Sequence, residues 1–145
     1  MQRWLDAARG ENPLPDVKEL NPLQMAYIGD TLHDLFVRSL LLSRPASVGA
    51  MHRQAVRMVS APAQAAMLQA IASELTEEEA DAVRRGRNAQ AKHAAPRHAD
   101  PADYAHATGL EALWGYLYVT GQTDRLSQLM KTALSRTEDI WQRRN

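Results

Sequence analysis

Apolar residues return at every third or fourth position through most of the chain, and the breaks between these runs carry helix-start and helix-stop signals. Met25, Ile28, Leu32, Leu35 and Phe36 trace one such stripe. Asn21-Pro22 opens that helix, since asparagine accepts hydrogen bonds from free amides and proline fits the first turn. Arg44-Pro45 stops it near Leu42. Ser47 caps a second helix in which Val48, Met51, Ala55 and Val59 face the core while Arg53 and Arg57 share the opposite face. Ser60 and Pro62 start a third, with Ala65, Leu68, Ala72 and Leu75 as its inner stripe. Thr76 and Glu79 have the spacing of a capping box for a fourth, which the pattern ends near Gly86. From Gly86 to Ala99 periodicity is lost, and the stretch reads as a mobile, basic, alanine-rich loop. Asp100-Pro101 opens a further helix that ends by Gly121. A last helix after Thr123 buries Leu126, Leu129, Met130, Ala133, Leu134, Ile140 and Trp141. No run alternates as a strand would, and no internal repeat is present, so the expected fold class is all-α. Residues 1–19, with Gly10, Pro13 and Pro15, read as an N-terminal segment without an assigned function, and 20–145 as one domain.

The chain has 145 residues, enough for one domain that buries roughly 70% of the surface its unfolded chain exposes. It has no cysteine, which excludes disulfides, thiolate metal sites and thiol catalysis. Met1 to Asn21 holds Arg3, Asp6, Arg9, Glu11 and Asp16 without a long apolar run, so neither a signal peptide nor a membrane span is expected and the location expected is cytoplasmic. Seventeen basic residues balance seventeen acidic ones, and net charge by itself points to no nucleic acid. Their distribution says more: no acid occurs between Asp81 and Asp100, where Arg84, Arg85, Arg87, Lys92, His93, Arg97 and His98 lie.

Two places break the rules of a buried helix. Gly29-Asp30 interrupts the first apolar stripe, and Gly109, Glu111 and Gly115 interrupt the run Thr108 to Tyr118. An interior glycine costs about 1 kcal/mol relative to alanine, and a buried unpaired carboxylate costs more. Both costs are explained if the two helices cross closely at their glycines and bring Asp30 and Glu111 together on a divalent metal. Asp34 lies one turn from Asp30, and Thr108 shares a face with Glu111 in the same way. Carboxylates from two packed helices form a hard oxygen site for Mg²⁺ or Mn²⁺, suited to hydrolysis of a phosphodiester. On spacing alone a structural carboxylate remains the alternative, and for Asp34 a solvated pair with Arg38. The basic stretch fits either backbone-charge neutralisation of a nucleic acid or a plain solvated loop. Tyr104, Trp114, Tyr116 and Tyr118 read as core and boundary aromatics, because none interleaves with the arginines. The pair His33-Asp34 is similar to the centre of the HD phosphohydrolases, but that family needs a histidine upstream, and His33 is the first in the chain. His52, His93, His98 and His106 lack ligand spacing and read as surface positions.

The two glycine-acid segments resemble the signature of the ribonuclease III catalytic domain: Ile28-Gly29-Asp30 its first motif, and Glu111-Ala112-Leu113-Trp114-Gly115 its last. With Arg84-Arg85-Gly86-Arg87-Asn88-Ala89 and His106-Ala107-Thr108-Gly109 added, the chain from about Leu20 to Ile140 resembles Mini-ribonuclease III, the branch without a separate double-stranded-RNA-binding domain. The resemblance implies an all-α helical bundle, a homodimer with two active sites along a valley for double-stranded RNA, and Mg²⁺-dependent cutting that leaves a 5′-phosphate and a 3′-hydroxyl. It implies maturation of large-subunit (23S) ribosomal RNA precursors. Asp30 and Glu111 become the catalytic metal ligands, and Arg84, Arg85, Arg87, Asn88 and Lys92 the RNA contacts. Full-length relatives carry acids where this chain has Leu23, Ala26 and Thr108, and the Mini branch shows similar losses; Gln90 and Ala105 stand where that branch often has basic residues. A metal shell so depleted is expected to bind weakly without RNA and to favour Mn²⁺, which calorimetry on the free protein tests. Leu40, Leu41 and Leu42 are candidates for either the dimer contact or the core. The rival reading is a non-catalytic double-stranded-RNA-binding or ribosome-assembly module of the same fold.

Overall fold

The computed structural model describes residues 2–141, with side chains for 3–139, and consists there of helices and connections with no strand. The chain forms α1 (Gln2–Arg9), α2 (Pro22–Leu42), α3 (Val48–Val59), α4 (Ala61–Ile71), α5 (Glu77–Ala91), α6 (Pro101–Val119), α7 (Thr123–Arg136) and α8 (Glu138–Trp141), with short 3₁₀ turns at Val17–Glu19 and Ala72–Glu74. Residues 142–145 of the expected domain, and the side chains of Ile140 and Trp141 assigned to its last helix, lie outside the described residues.

Helix α6 is the axis of the molecule. Eleven of its nineteen residues are buried, and α2, α4, α5 and α7 all pack on it. A helix enclosed on nearly every side shows no single apolar face: Leu110, Leu113, Trp114 and Leu117 follow one stripe, while Ala105, Thr108, Ala112 and Gly115 are buried on the opposite side. The start signals operate as the sequence implies. Asn21 and Gln24 form a reciprocal capping box on α2, Thr76 and Glu79 another on α5, and the Asp100 carboxylate accepts from the Ala102 amide ahead of α6.

Four expectations need correction. Helix α5 does not end at Gly86 but runs on to Ala91, so the first six of the fourteen residues of the expected loop are helical. Gly86 has no positive φ; it is buried, and a Cβ there would sit 2.6 Å from the Ala112 Cβ, so the glycine serves helix contact rather than helix termination. In α4 the buried set is Ala63, Gln64, Met67, Leu68 and Ile71, whereas Ala72 is exposed. The larger Met67 and Ile71 take the interior in place of the alanines, since burying more apolar area gains more. In α3 the interior positions are Ala55 and Met58, which join Val37 and Leu41 in a cluster, while Val48 at the helix start is 79% exposed. Finally, the last helix is broken: Thr137 is buried, its hydroxyl donates to the Ala133 carbonyl at 2.8 Å, and α8 starts beyond it. The N-terminal segment also acquires structure. Leu5 and Leu14 pack on the main core, and Arg9 Nη1 donates to the Tyr118 hydroxyl at 3.3 Å.

Candidate active site

Helices α2 and α6 touch backbone to backbone. A Cβ on Gly29 would overlap the Glu111 carbonyl group, and one on Gly115 would overlap that of Met25. These reciprocal contacts carry the side chains beside the two glycines to one place. Asp30 stands exposed on α2, within hydrogen-bonding reach of the half-buried Glu111 carboxyl on α6. Burial, and then the neighbouring Asp30 carboxyl, push the Glu111 pKa up to about 8. The Gln64 side chain on α4 donates through Nε2 to Glu111 Oε2 at 3.5 Å and opposes that rise.

The donor set fits a hard divalent cation. It is made of oxygen alone, and its two acids crowd each other enough that a dication would relieve their repulsion. It is also sparse: among the described residues no group of three or more histidine, aspartate or glutamate side chains converges as a metal site. Asp34 accepts a hydrogen bond from Arg38 Nε at 3.1 Å, the solvated i,i+4 pair. The Thr108 hydroxyl is spent on the Tyr104 carbonyl at 3.1 Å.

The basic residues divide between faces of α5. Arg84 and Arg87 line a cleft of about 770 Å³ between α4, α5 and α6, together with Asp103 and His106, and neither Asp30 nor Glu111 lines it. Arg84 also pairs with Asp81. Arg85 and Asn88 are exposed. Lys92 is the C-cap of α5, its backbone N–H bonded to the carbonyls of Ala89 and Gln90.

Two participants escaped the sequence reading. His33 is 1% exposed. Its Nε2 pairs with the Met58 carbonyl at 3.2 Å, and its Nδ1 accepts from Trp114 Nε1 at 3.1 Å. An indole can only donate and a carbonyl can only accept, so the imidazole is neutral with its proton on Nε2. It is a core tie between α2, α3 and α6, not a metal ligand; its position one turn from Gly29 and Val37, both buried, was the available signal. Gln64 is 3% exposed. Its signal, a polar residue inside the stripe Ala63, Met67, Leu68, Ile71, vanishes when the stripe is assigned to Ala65 and Ala72 instead.

A sequence profile of the Ribonuclease III domain matches residues 23–122. The chain is 53% identical over 123 residues to the Mini-ribonuclease 3 of Symbiobacterium thermophilum, covering 84% of this chain and 91% of that one. It is 42% identical over 124 residues to that of Enterococcus faecalis, covering 83% and 93%, and 36% identical over 126 residues to that of Clostridium tetani, covering 86% and 83%. A crystal structure of a Fusobacterium nucleatum protein shares the fold with a TM-score of 0.75 at 22% identity, over 83% of this chain and 96% of that one.

Proposed function

This chain belongs to the ribonuclease III family and is an endoribonuclease of that type, and from that premise we propose that Asp30 and Glu111 hold the divalent ion with which it cuts double-stranded RNA. The family acts on double-stranded RNA as a dimer and with a divalent metal. The observation that carries the residue assignment is the meeting of one exposed and one half-buried carboxyl group at the glycine crossing of α2 and α6.

When bound, Mg²⁺ or Mn²⁺ supplies Lewis-acid charge for attack of water on a phosphodiester. The chain's own residues supply the rest. The backbone of Glu111 is fixed on the central helix by its contact with Gly29, so the carboxyl can shift only by turning about its own side-chain bonds. Asp30 presents its carboxyl on the open side of the pair, where an RNA phosphate can approach. Two carboxyl groups leave most of the coordination sphere to water and to that phosphate, so metal and RNA are expected to bind cooperatively. Arg85, Asn88 and Lys92, exposed along and just past α5, are assigned to the RNA backbone; Arg84 and Arg87 belong to the same basic stretch but open on a separate cleft.

The substrate we assign is the paired ends of precursor 23S ribosomal RNA, and the acting form is a homodimer. Support for the dimer comes from Tyr27, Leu35 and Leu42, exposed apolar residues at two-turn spacing on one face of α2. Incubation with precursor ribosomal RNA and Mg²⁺ or Mn²⁺, followed by mapping of the new ends, tests the assignment. Wild type should give staggered cuts with 5′-phosphates, and Asp30→Asn should abolish them while leaving duplex binding nearly intact. Wild-type protein that binds duplex but never cuts with either metal would return the reading to a binding module.

A further inference from the structure

We infer that Gln64 is a positioning residue for the reaction, tying Oε2 of the Glu111 carboxyl group to the junction of α3 and α4. The inference rests on Glu111 being a metal ligand. Gln64 Nε2 has two hydrogens and two acceptors: the Val59 carbonyl at 2.9 Å, at the end of α3, and Glu111 Oε2 at 3.5 Å. Val59 is followed at once by Ser60, which caps α4, so the anchor for the amide is a rigid corner of backbone. Turning the amide over would set its oxygen against the Val59 carbonyl, which can only accept, and the orientation is therefore determined.

The consequence is an unbalanced group. Among the described residues Gln64 Oε1 is buried without a hydrogen-bond partner, although a buried amide oxygen is normally satisfied. A methionine or leucine would fill this place in α4 at no such cost, beside Met67 and Leu68. Retaining an amide here makes sense when its N–H is needed on the far side, at a carboxylate whose direction matters. By holding Oε2, Gln64 removes rotational freedom from Glu111 and leaves lone pairs on that carboxylate for a cation. Ligand-orienting hydrogen bonds of this kind typically change metal affinity or activity by about 10- to 100-fold.

The test compares wild type with Gln64→Met, close in shape but without the donor, and Gln64→Glu, which keeps the shape and replaces the donor by an acceptor. Three quantities are measured: thermal midpoint, duplex-RNA affinity without metal, and kcat and KM over a Mn²⁺ titration, with bound Mn²⁺ read separately by electron paramagnetic resonance on the protein–RNA complex. The expected result for Gln64→Met is an unchanged KM and metal-free RNA affinity, a kcat about 10-fold or more lower, and weaker Mn²⁺ binding. Gln64→Glu should be worse than Gln64→Met in both kcat and Mn²⁺ binding. Cutting and Mn²⁺ binding at the wild-type level in both variants would overturn the inference while wild-type cleavage upholds the parent reading. So would a loss of cleavage that merely follows loss of RNA affinity and thermal midpoint. If wild type itself does not cut, it is the parent reading that fails.

Discussion

At the scale of single residues, two buried titratable groups pull stability in opposite directions with pH. Burial lowers the His33 pKa from 6.5. The unfolded chain therefore takes up a proton below pH 6.5 that the folded one refuses, and stability falls as pH drops, by at most about 1.4 kcal/mol per pH unit for one proton. For Glu111, burial and Asp30 raise the pKa from 4.5 to about 8. The folded chain then keeps a proton that the unfolded chain has lost, so stability declines as pH rises from 4.5 through about 8. Between pH 5 and 6.5 the two slopes oppose each other, and above 6.5 only Glu111 acts. The expected outcome, without metal, is a urea midpoint that falls from pH 6.5 to 8.5 in wild type. In Glu111→Gln that fall should be flattened, and a fall below pH 6.5 uncovered. Asp30 and Glu111 were legible as candidates because each is an acid beside a glycine inside an apolar run. Gln64 and His33 were not, because what marks them is which carbonyl, carboxyl or indole faces them, and apart from the Val59 carbonyl those partners lie 25 to 81 positions away in the chain.

At the scale of elements, caps and stops were readable where the signal is local. The starts of α2, α4, α5 and α6 follow from side chains that bond amides two or three residues on. Gly86 was misread for the converse reason: a glycine that ends a helix and a glycine that admits a neighbouring helix look alike in one dimension. What separates them is the Ala112 methyl of α6, known only once the helices are packed. The same property makes the glycine crossing testable. Gly29→Leu forces a side chain into the Glu111 backbone and should cost about 3 kcal/mol or more. Cleavage should fall with it, measured at a temperature where the variant is still folded by circular dichroism. A folded Gly29→Leu that cuts normally would show that close approach is not what builds the site.

At the scale of the whole molecule, the exposed apolar line Tyr27, Leu35 and Leu42 runs along the helix that also carries Asp30. The sequence left Leu40, Leu41 and Leu42 undivided. In the fold Leu41 is core at 5% exposure, and Leu42 is outside at 74%. A twofold axis on this face would present the same patch from both copies and set two sites in fixed relation, one for each strand. Leu42→Arg is accordingly expected to shift the protein to monomer in sedimentation velocity and to cut duplex RNA poorly, without lowering the thermal midpoint of the monomer fold. The contact of α2 with α6 has one more consequence. Because bare main chain, rather than a flexible loop, sets the distance between the backbones that carry the two acids, the pair itself has no way to go slack before the fold melts. At protein concentrations that keep the dimer intact, heat inactivation and global unfolding should therefore trace a single curve, and cooling should restore both together.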